Sequence, residues 1–285
     1  GRVSIGVVQQ NTDNDIDCLE KYCMIWKERN GTAACPYKDR VTMLRMHARE
    51  ARGPIFARHK QQGLIKDEQF CLQVDAHSNF AYGWDHMLLT DYRNSKNKYA
   101  VLTSYPHPVQ ELDRFPDTNG QGNEVPHLCR IDFNRGGMPR NDQARRIRNM
   151  RAPKLTNLWA AGLSFSLCDA ERTVRNDPNL EYVFDGEEFS RVARLWTHGY
   201  DMYTPTTAAV FHDYSQPGSV VKFPFDKSVE RESKERMRAL LQPTDGRDPG
   251  HRRRFGAPAL TSTRPPATSG LRLLMCYGYV LPSLL

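Results

Sequence analysis

The stretch Phe70-Cys71-Leu72-Gln73-Val74-Asp75-Ala76-His77 decides the fold. Phe70, Leu72 and Val74 form an apolar run that stops at Asp75-x-His77, the pattern of a buried strand ending at a polar site. Along a strand, residues i and i+2 point to the same side. Asp75 and His77 are therefore expected to project together from the strand's carboxyl end. A carboxylate oxygen and an imidazole nitrogen can share one divalent cation. Open α/β sheets bind their ligands where strands run out at that end. Taken alone, Asp-x-His also describes a turn-capping carboxylate beside a surface histidine, so the rest of the chain must decide.

The 285 residues suffice for one large domain or two small ones, with length for a substantial core. A composition of 39% hydrophobic and 26% charged residues is that of an ordinary soluble domain. No run of 18 apolar residues occurs, so no membrane span is expected. The chain opens on the strand-like Arg2–Val8 with no signal-peptide pattern, compatible with a fragment that has lost a targeting segment. The net charge of +7 suggests nucleic acid until its distribution is read. Residues 247–285 hold six Arg and one Asp, which accounts for +5 and leaves about +2 for the other 246 residues. Seven scattered cysteines without a CxxC pair argue against a zinc knuckle. Several sit in apolar runs as buried free thiols do, which points to a reducing compartment. The sequon Asn30-Gly31-Thr32 matters only in a secreted chain.

Val3, Ile5 and Val7 alternate in a first strand that runs into the polar loop Gln9-Gln10-Asn11. Asp17-x-x-Glu20 has capping-box spacing, and Leu19, Tyr22, Cys23 and Trp26 form one helical stripe closed by Asn30-Gly31. Val41–Met46 reads as a second strand. Gly53-Pro54 opens a helix to about Gln62, stopped by Gly63. Arg52 and Arg58 flank that helix start and suit an anionic phosphate. Trp84-Asp85 begins another helix, Tyr99–Tyr105 a strand, and Leu128–Phe133 a further strand after the loop 110–127. Residues 135–154 carry seven basic residues and one acid, a solvated loop or a mobile flap near an anion. Trp159-Ala160-Ala161-Gly162 opens a small-residue run where backbone can approach a ligand closely. Glu187 and Glu188 stand in the first turn of a helix whose expected buried stripe is Phe189, Val192, Ala193 and Trp196, ended by Gly199. Ala208–Tyr214 is a second apolar strand ending in His212-Asp213.

These stretches together resemble the metal-dependent, nucleotide-sugar glycosyltransferases of the GT-A fold. They look most like the polypeptide α-N-acetylglucosaminyltransferases (glycosyltransferase family sixty). The matching residues are Ser4–Asn11, His47–Arg58, Gln73–His77, Trp159–Ser166, Phe184–Ser190 and Ala193–Tyr214. The block from Trp159 to His212 also parallels the mucin-type polypeptide N-acetylgalactosaminyltransferases. The resemblance implies an α/β fold, a single nucleotide-sugar-binding domain with a mixed, mainly parallel central sheet. It implies a retaining enzyme that moves GlcNAc from UDP-GlcNAc to a hydroxyproline or Thr hydroxyl of a protein. Known cytosolic members act on the adaptor subunit of cullin ubiquitin ligases. By the same resemblance Asp75, His77 and His212 would hold Mn²⁺ (or Mg²⁺), and Arg52 and Arg58 would meet the phosphates. Gln9, Gln10 and Asn11 would meet uracil and ribose. Trp159, Ala161 and Gly162 would line the sugar and acceptor side, and Glu187 and Glu188 would hold sugar hydroxyls or orient the acceptor oxygen.

The upstream spacing around His47 and the tail after about residue 225 depart from the family's pattern. From Gln242 onward Lys disappears and periodicity is lost. The expected division is a GT-A domain over 1–242 and an irregular tail over 243–285. A cytoplasmic location follows, or the Golgi if an N-terminal anchor is missing. The competing classes are a nucleic-acid-binding module using the Arg-rich segments, which leaves two strand-end histidines unexplained, and a sugar-nucleotide hydrolase or inactive homologue.

Overall fold

The structure, a computed structural model, describes residues 3–32, 34–114, 124–215, 225–241 and 271–276. At its centre is an eight-stranded sheet. Its strands are β1 (Ile5–Asn11), β2 (Val41–His47), β3 (Phe70–Asp75), β5 (Ala100–Thr103), β11 (Lys154–Thr156), β12 (Leu163–Leu167), β13 (Asp201–Thr204) and β15 (Leu271–Cys276), in the order β11-β13-β5-β12-β3-β15-β1-β2. Pairings β13–β5, β3–β15, β15–β1 and β1–β2 are parallel, while both neighbours of β12 and the β11–β13 pair are antiparallel. The sheet is thus mixed and mainly parallel, as expected. Smaller pairings join β4 (Ser78–Phe80), β6 (His107–Pro108) and β14 (Val210–His212), and also β7 (Glu124–His127) with β10 (Arg145–Arg148) and β8 (Ile131–Phe133) with β9 (Pro139–Asn141).

Six α-helices lie among the described residues: α1 (Cys18–Asn30), α2 (Pro54–Gln62), α3 (Trp84–Asn94), α4 (Cys168–Thr173), α5 (Glu187–Thr197) and α6 (Lys227–Leu241). Asp17 caps α1 by accepting from the Leu19 and Glu20 N–H groups, and Gly31 ends it in the left-handed region. Gly53 precedes α2 at φ 88°, where a Cβ would stand 3.1 Å from the Tyr182 backbone. Pro54 then sets the first helical φ.

The core sits on both faces of the sheet. Leu72, Val74, Leu102 and Phe165 pack with Leu88 of α3 on one side. Val101 and Met202 pack with Ala170 of α4 and Val192 and Leu195 of α5 on the other. Cys71 and Gln73, and hence Asp75 by alternation, face the α4–α5 side.

Several expectations are corrected here. Gln9, Gln10 and Asn11 are paired in β1 against Arg45, Met46 and His47, because the ladder with β2 outlasts the apolar alternation. Trp196 is 68% exposed, and α5 instead buries Glu187, Ser190, Arg191, Val192 and Leu195. Four cysteines are bonded in pairs, Cys23 with Cys35 and Cys71 with Cys168, which removes the free-thiol premise for a reducing compartment. Leu271–Cys276, within the stretch read as an irregular tail, pair with both β1 and β3. The rest of that stretch lies outside the described residues.

The Arg-rich segment is largely built into paired strands rather than a simple loop. The β7–β10 and β8–β9 ladders keep one register, bridged by Asp142 N–H donating to Arg130 O at 3.0 Å. Residues 124–133 and 139–148 therefore form a single hairpin, closed by a turn in which Gly137 N–H donates to Asn134 O at 2.8 Å.

Candidate active site

A cleft of about 670 Å³ opens at the carboxyl end of β3. Its floor is Asp75, Ala76 and His77, where the apolar run of β3 gives way to a turn. Antiparallel pairing of β14 on β4 sets His212 opposite Ser78, and Asp213 N–H donates to His77 O at 2.9 Å. The two imidazoles thus meet nearly perpendicular, with ring centres 5.7 Å apart. His212 Nε2 lies 3.9 Å from Asp75 Oδ2. Burial lowers the His212 pKa against the opposing pull of Asp75, so the ring is kept neutral.

Arg58 comes from the first half of α2 and is 3% exposed. Its Nη2 donates to Asp75 Oδ1 at 3.1 Å, and its Nη1 donates to Glu187 Oε1. One guanidinium therefore ties the strand end to the start of α5. Burial pushes the Glu187 carboxyl upward, with the Arg58 charge opposing it.

Glu188 is held differently. Its Oε1 accepts from Ala161 N–H at 3.0 Å. Its Oε2 accepts from Asn141 Nδ2 at 2.9 Å and from the Tyr105 hydroxyl at 3.1 Å. Burial raises its pKa to about 7, with the Ala161 N–H opposing and the Glu187 charge adding to the rise. Gly186 makes this turn possible: at φ 97°, a Cβ there would come within 2.7 Å of Met138 Cε and 2.8 Å of Met237 Sδ.

Asp75, His77, His212, Arg58, Ala161, Gly162, Glu187 and Glu188 all line the one cleft. Five residues singled out from sequence do not. The Gln9 Oε1 accepts from Cys18 N–H at 2.7 Å, Asn11 Nδ2 donates to Ile16 O at 3.0 Å, and Gln10 is buried. Arg52 Nη1 donates to the Tyr182 hydroxyl at 2.8 Å. Trp159 is 1% exposed, packed in the core with its Nε1 donating to Ser164 Oγ at 2.9 Å. The resemblance set Trp159 on the sugar and acceptor side, yet here the indole faces inward.

Sequence reading missed Tyr105, Asn141 and Tyr214 as lining residues. Tyr214 left a signal, since it follows the strand-end His212-Asp213; its ring centre lies 4.5 Å from that of His212. Asn141 left none among the surrounding arginines.

The donor set of one carboxylate and two imidazoles suits a first-row divalent cation. The buried His77 Nε2 and His212 Nδ1 find no hydrogen-bond partner among the described residues, and Asp75 Oδ2 and His212 Nε2 face one another. Among the described residues no three His, Cys, Asp or Glu side chains are already drawn to metal-binding distance. Asp75 and His212 stand 3.9 Å apart, with the His77 ring centre 5.7 Å from that of His212. No helix among the described residues is long and apolar enough to cross a membrane.

A family model described as Glycosyltransferase (GlcNAc) matches residues 2–264. No curated protein matches the chain. Among solved structures, the crystal structure of GalNAc-T7 with UDP, GalNAc and Mn2+ is similar at TM-score 0.52 and 15% identity. The match covers 84% of this chain and 50% of that one, so this chain spans half that protein's length. The shared architecture is the GT-A fold.

Proposed function

We propose that this chain, which belongs to the Glycosyltransferase (GlcNAc) family, transfers GlcNAc from UDP-GlcNAc to a hydroxyproline or threonine hydroxyl of a protein acceptor with retention of the α linkage. The observation that carries this reading is Asp75 facing His212 at 3.9 Å at the end of β3, with Arg58 behind the carboxylate. Departure of a diphosphate builds negative charge that a cleft must stabilise. A divalent cation would supply that positive charge when bound, and the nitrogen ligands favour Mn²⁺ over Mg²⁺. Asp75, His77 and His212 would hold it.

The chain's own residues divide the remaining work. Arg58 fixes the Asp75 carboxylate, so it positions the floor of the site rather than meeting phosphate as the sequence suggested. Glu187 is spent on Arg58. Glu188 and the Ala161–Gly162 backbone face the open cleft and suit the sugar hydroxyls. The acceptor oxygen attacks the anomeric carbon as the bond to phosphate breaks, and the leaving phosphate oxygen takes the hydroxyl proton. No protein base is required, which agrees with Glu187 being sequestered. GalNAc-T7, crystallised with UDP, GalNAc and Mn2+, supports the donor class. Two disulfides suit an oxidising compartment and favour the Golgi alternative over the cytoplasm. The adaptor subunit of cullin ligases, the acceptor of the cytosolic members that the chain resembles, goes with the cytoplasmic alternative only; in an oxidising compartment the acceptor is another protein.

Calorimetric titration of UDP with and without Mn²⁺ tests the reading. The expected result is Mn²⁺-dependent binding that His212→Ala weakens at least about tenfold; equal binding without the metal would overturn it.

A further inference from the structure

The hairpin 124–148 touches the Asp185–Glu188 turn at three points. Asn134 Nδ2 donates to Asp185 Oδ2 at 2.7 Å. Met138 stands against Gly186, where a Cβ would come 2.7 Å from its methyl. Asn141, 6% exposed, donates from Nδ2 to both Glu188 Oε2 at 2.9 Å and Trp159 O at 2.8 Å. One amide therefore locks the Glu188 carboxylate to the core backbone under the small-residue run. With Ala161 N–H at 3.0 Å and the Tyr105 hydroxyl at 3.1 Å, three donors, all neutral, meet the two carboxylate oxygens. A carboxylate offers roughly four lone-pair sites, so about one remains open toward the cleft. Glu187 next door has a cation on it instead.

We propose that Asn141, seconded by Tyr105, is a positioning residue that fixes the Glu188 carboxyl in one orientation toward the transferred sugar. The cage uses neutral donors, so the carboxylate keeps its acceptor strength for a substrate hydroxyl. This rests on the glycosyl-transfer reading for its purpose, but the cage itself does not. The other groups facing Glu188 are Glu187 of α5, Arg58 of α2, and Tyr214 beyond β14.

The test labels glutamate with ¹³C and follows the Glu188 side-chain carboxyl carbon, assigned by its loss in Glu188→Gln. Its titration midpoint is read in wild type, Asn141→Ala and Tyr105→Phe, beside Tm and UDP-GlcNAc turnover. Each variant should raise the midpoint by about one pH unit, because a donor to the charged form is gone. Each should lower kcat about tenfold or more while KM changes less than about threefold. Tyr105→Phe guards against simple misfolding of Asn141→Ala, and Tm identifies that case. Unmoved midpoints in the folded variants overturn the proposal even if turnover falls. A raised midpoint with no UDP-GlcNAc turnover in wild type would leave the cage standing and sink the transfer reading. Turnover in wild type with unmoved midpoints would do the reverse.

Discussion

Arg58 donates from Nη2 to Asp75 Oδ1 at 3.1 Å while its other arm holds Glu187. The pair Arg58–Glu187 is almost wholly buried, at 4% and 6% side-chain exposure. Removing one partner of such a pair leaves an uncompensated charge and costs about 3–5 kcal/mol. Arg58→Met should therefore lower Tm sharply, and Arg58→Met with Glu187→Leu should recover much of the loss. Activity should not return in the double variant, because Asp75 has lost its anchor. A double variant with full turnover would show that the pair serves stability alone.

Glu188 titrates near pH 7 in the folded chain, raised from 4.5 by burial. The native state then holds a proton that the unfolded state has released, between about pH 4.5 and 7. Stability relative to the unfolded chain is present below that window and lost as pH rises through it. Glu188→Gln removes the loss. It should raise stability at pH 8 on the order of 2 kcal/mol, a figure reduced because the side chain partly meets the cleft, and change it little at pH 4.5. Thermal melts at the two pH values decide; equal gains at both would mean that Glu188 is not the group. Turnover by wild type should climb through about pH 7 as Glu188 ionises.

Gly162 lies against the floor of the cleft. A Cβ there would stand 2.8 Å from Pro106 Cδ and 3.4 Å from Asp75 Oδ2. Gly162→Ala must displace Pro106 or the Asp75 carboxylate. Loss of a factor of about 10–100 in kcat/KM is expected, with a stability change of roughly 1–3 kcal/mol from overpacking. Wild-type kinetics in this variant would place the sugar elsewhere.

The Cys71–Cys168 disulfide joins β3 to the first residue of α4 across 97 residues of sequence. Its removal in Cys71→Ala with Cys168→Ala should cost roughly 2–5 kcal/mol. Alkylation of the unreduced, unfolded protein, followed by peptide mass mapping, should leave Cys23, Cys35, Cys71 and Cys168 unmodified while Cys18 and Cys129 react. Modified Cys71 peptides before reduction would return the chain to the reducing compartment first expected.

What the sequence revealed, and what it hid, follows from where each signal resides. β3 was legible because an apolar run collides with Asp75, and α2 because Gly53-Pro54 is local backbone chemistry. The start of α5 was legible for the same reason, at Gly186 and two acids. Its buried face was not, since Glu187, Ser190 and Arg191 are buried through partners elsewhere in the chain. The 124–148 hairpin was hidden because pairing between its strands, rather than any apolar period, creates it. The resemblance set Gln9 at the nucleotide and Trp159 on the sugar side, yet neither lines the cleft. Both are satisfied inside the fold, by Cys18 and Ser164.

The most direct measurement is UDP-sugar turnover with and without Mn²⁺, by wild type and Asp75→Ala, across UDP-GlcNAc, UDP-GalNAc, UDP-Glc and UDP-Gal. The account predicts Mn²⁺-dependent turnover with UDP-GlcNAc preferred, reduced by a factor of about 100 or more in Asp75→Ala, where the anionic floor of the cleft is removed. Turnover that ignores both the metal and Asp75, or an absence of turnover and UDP binding in wild type, would contradict it.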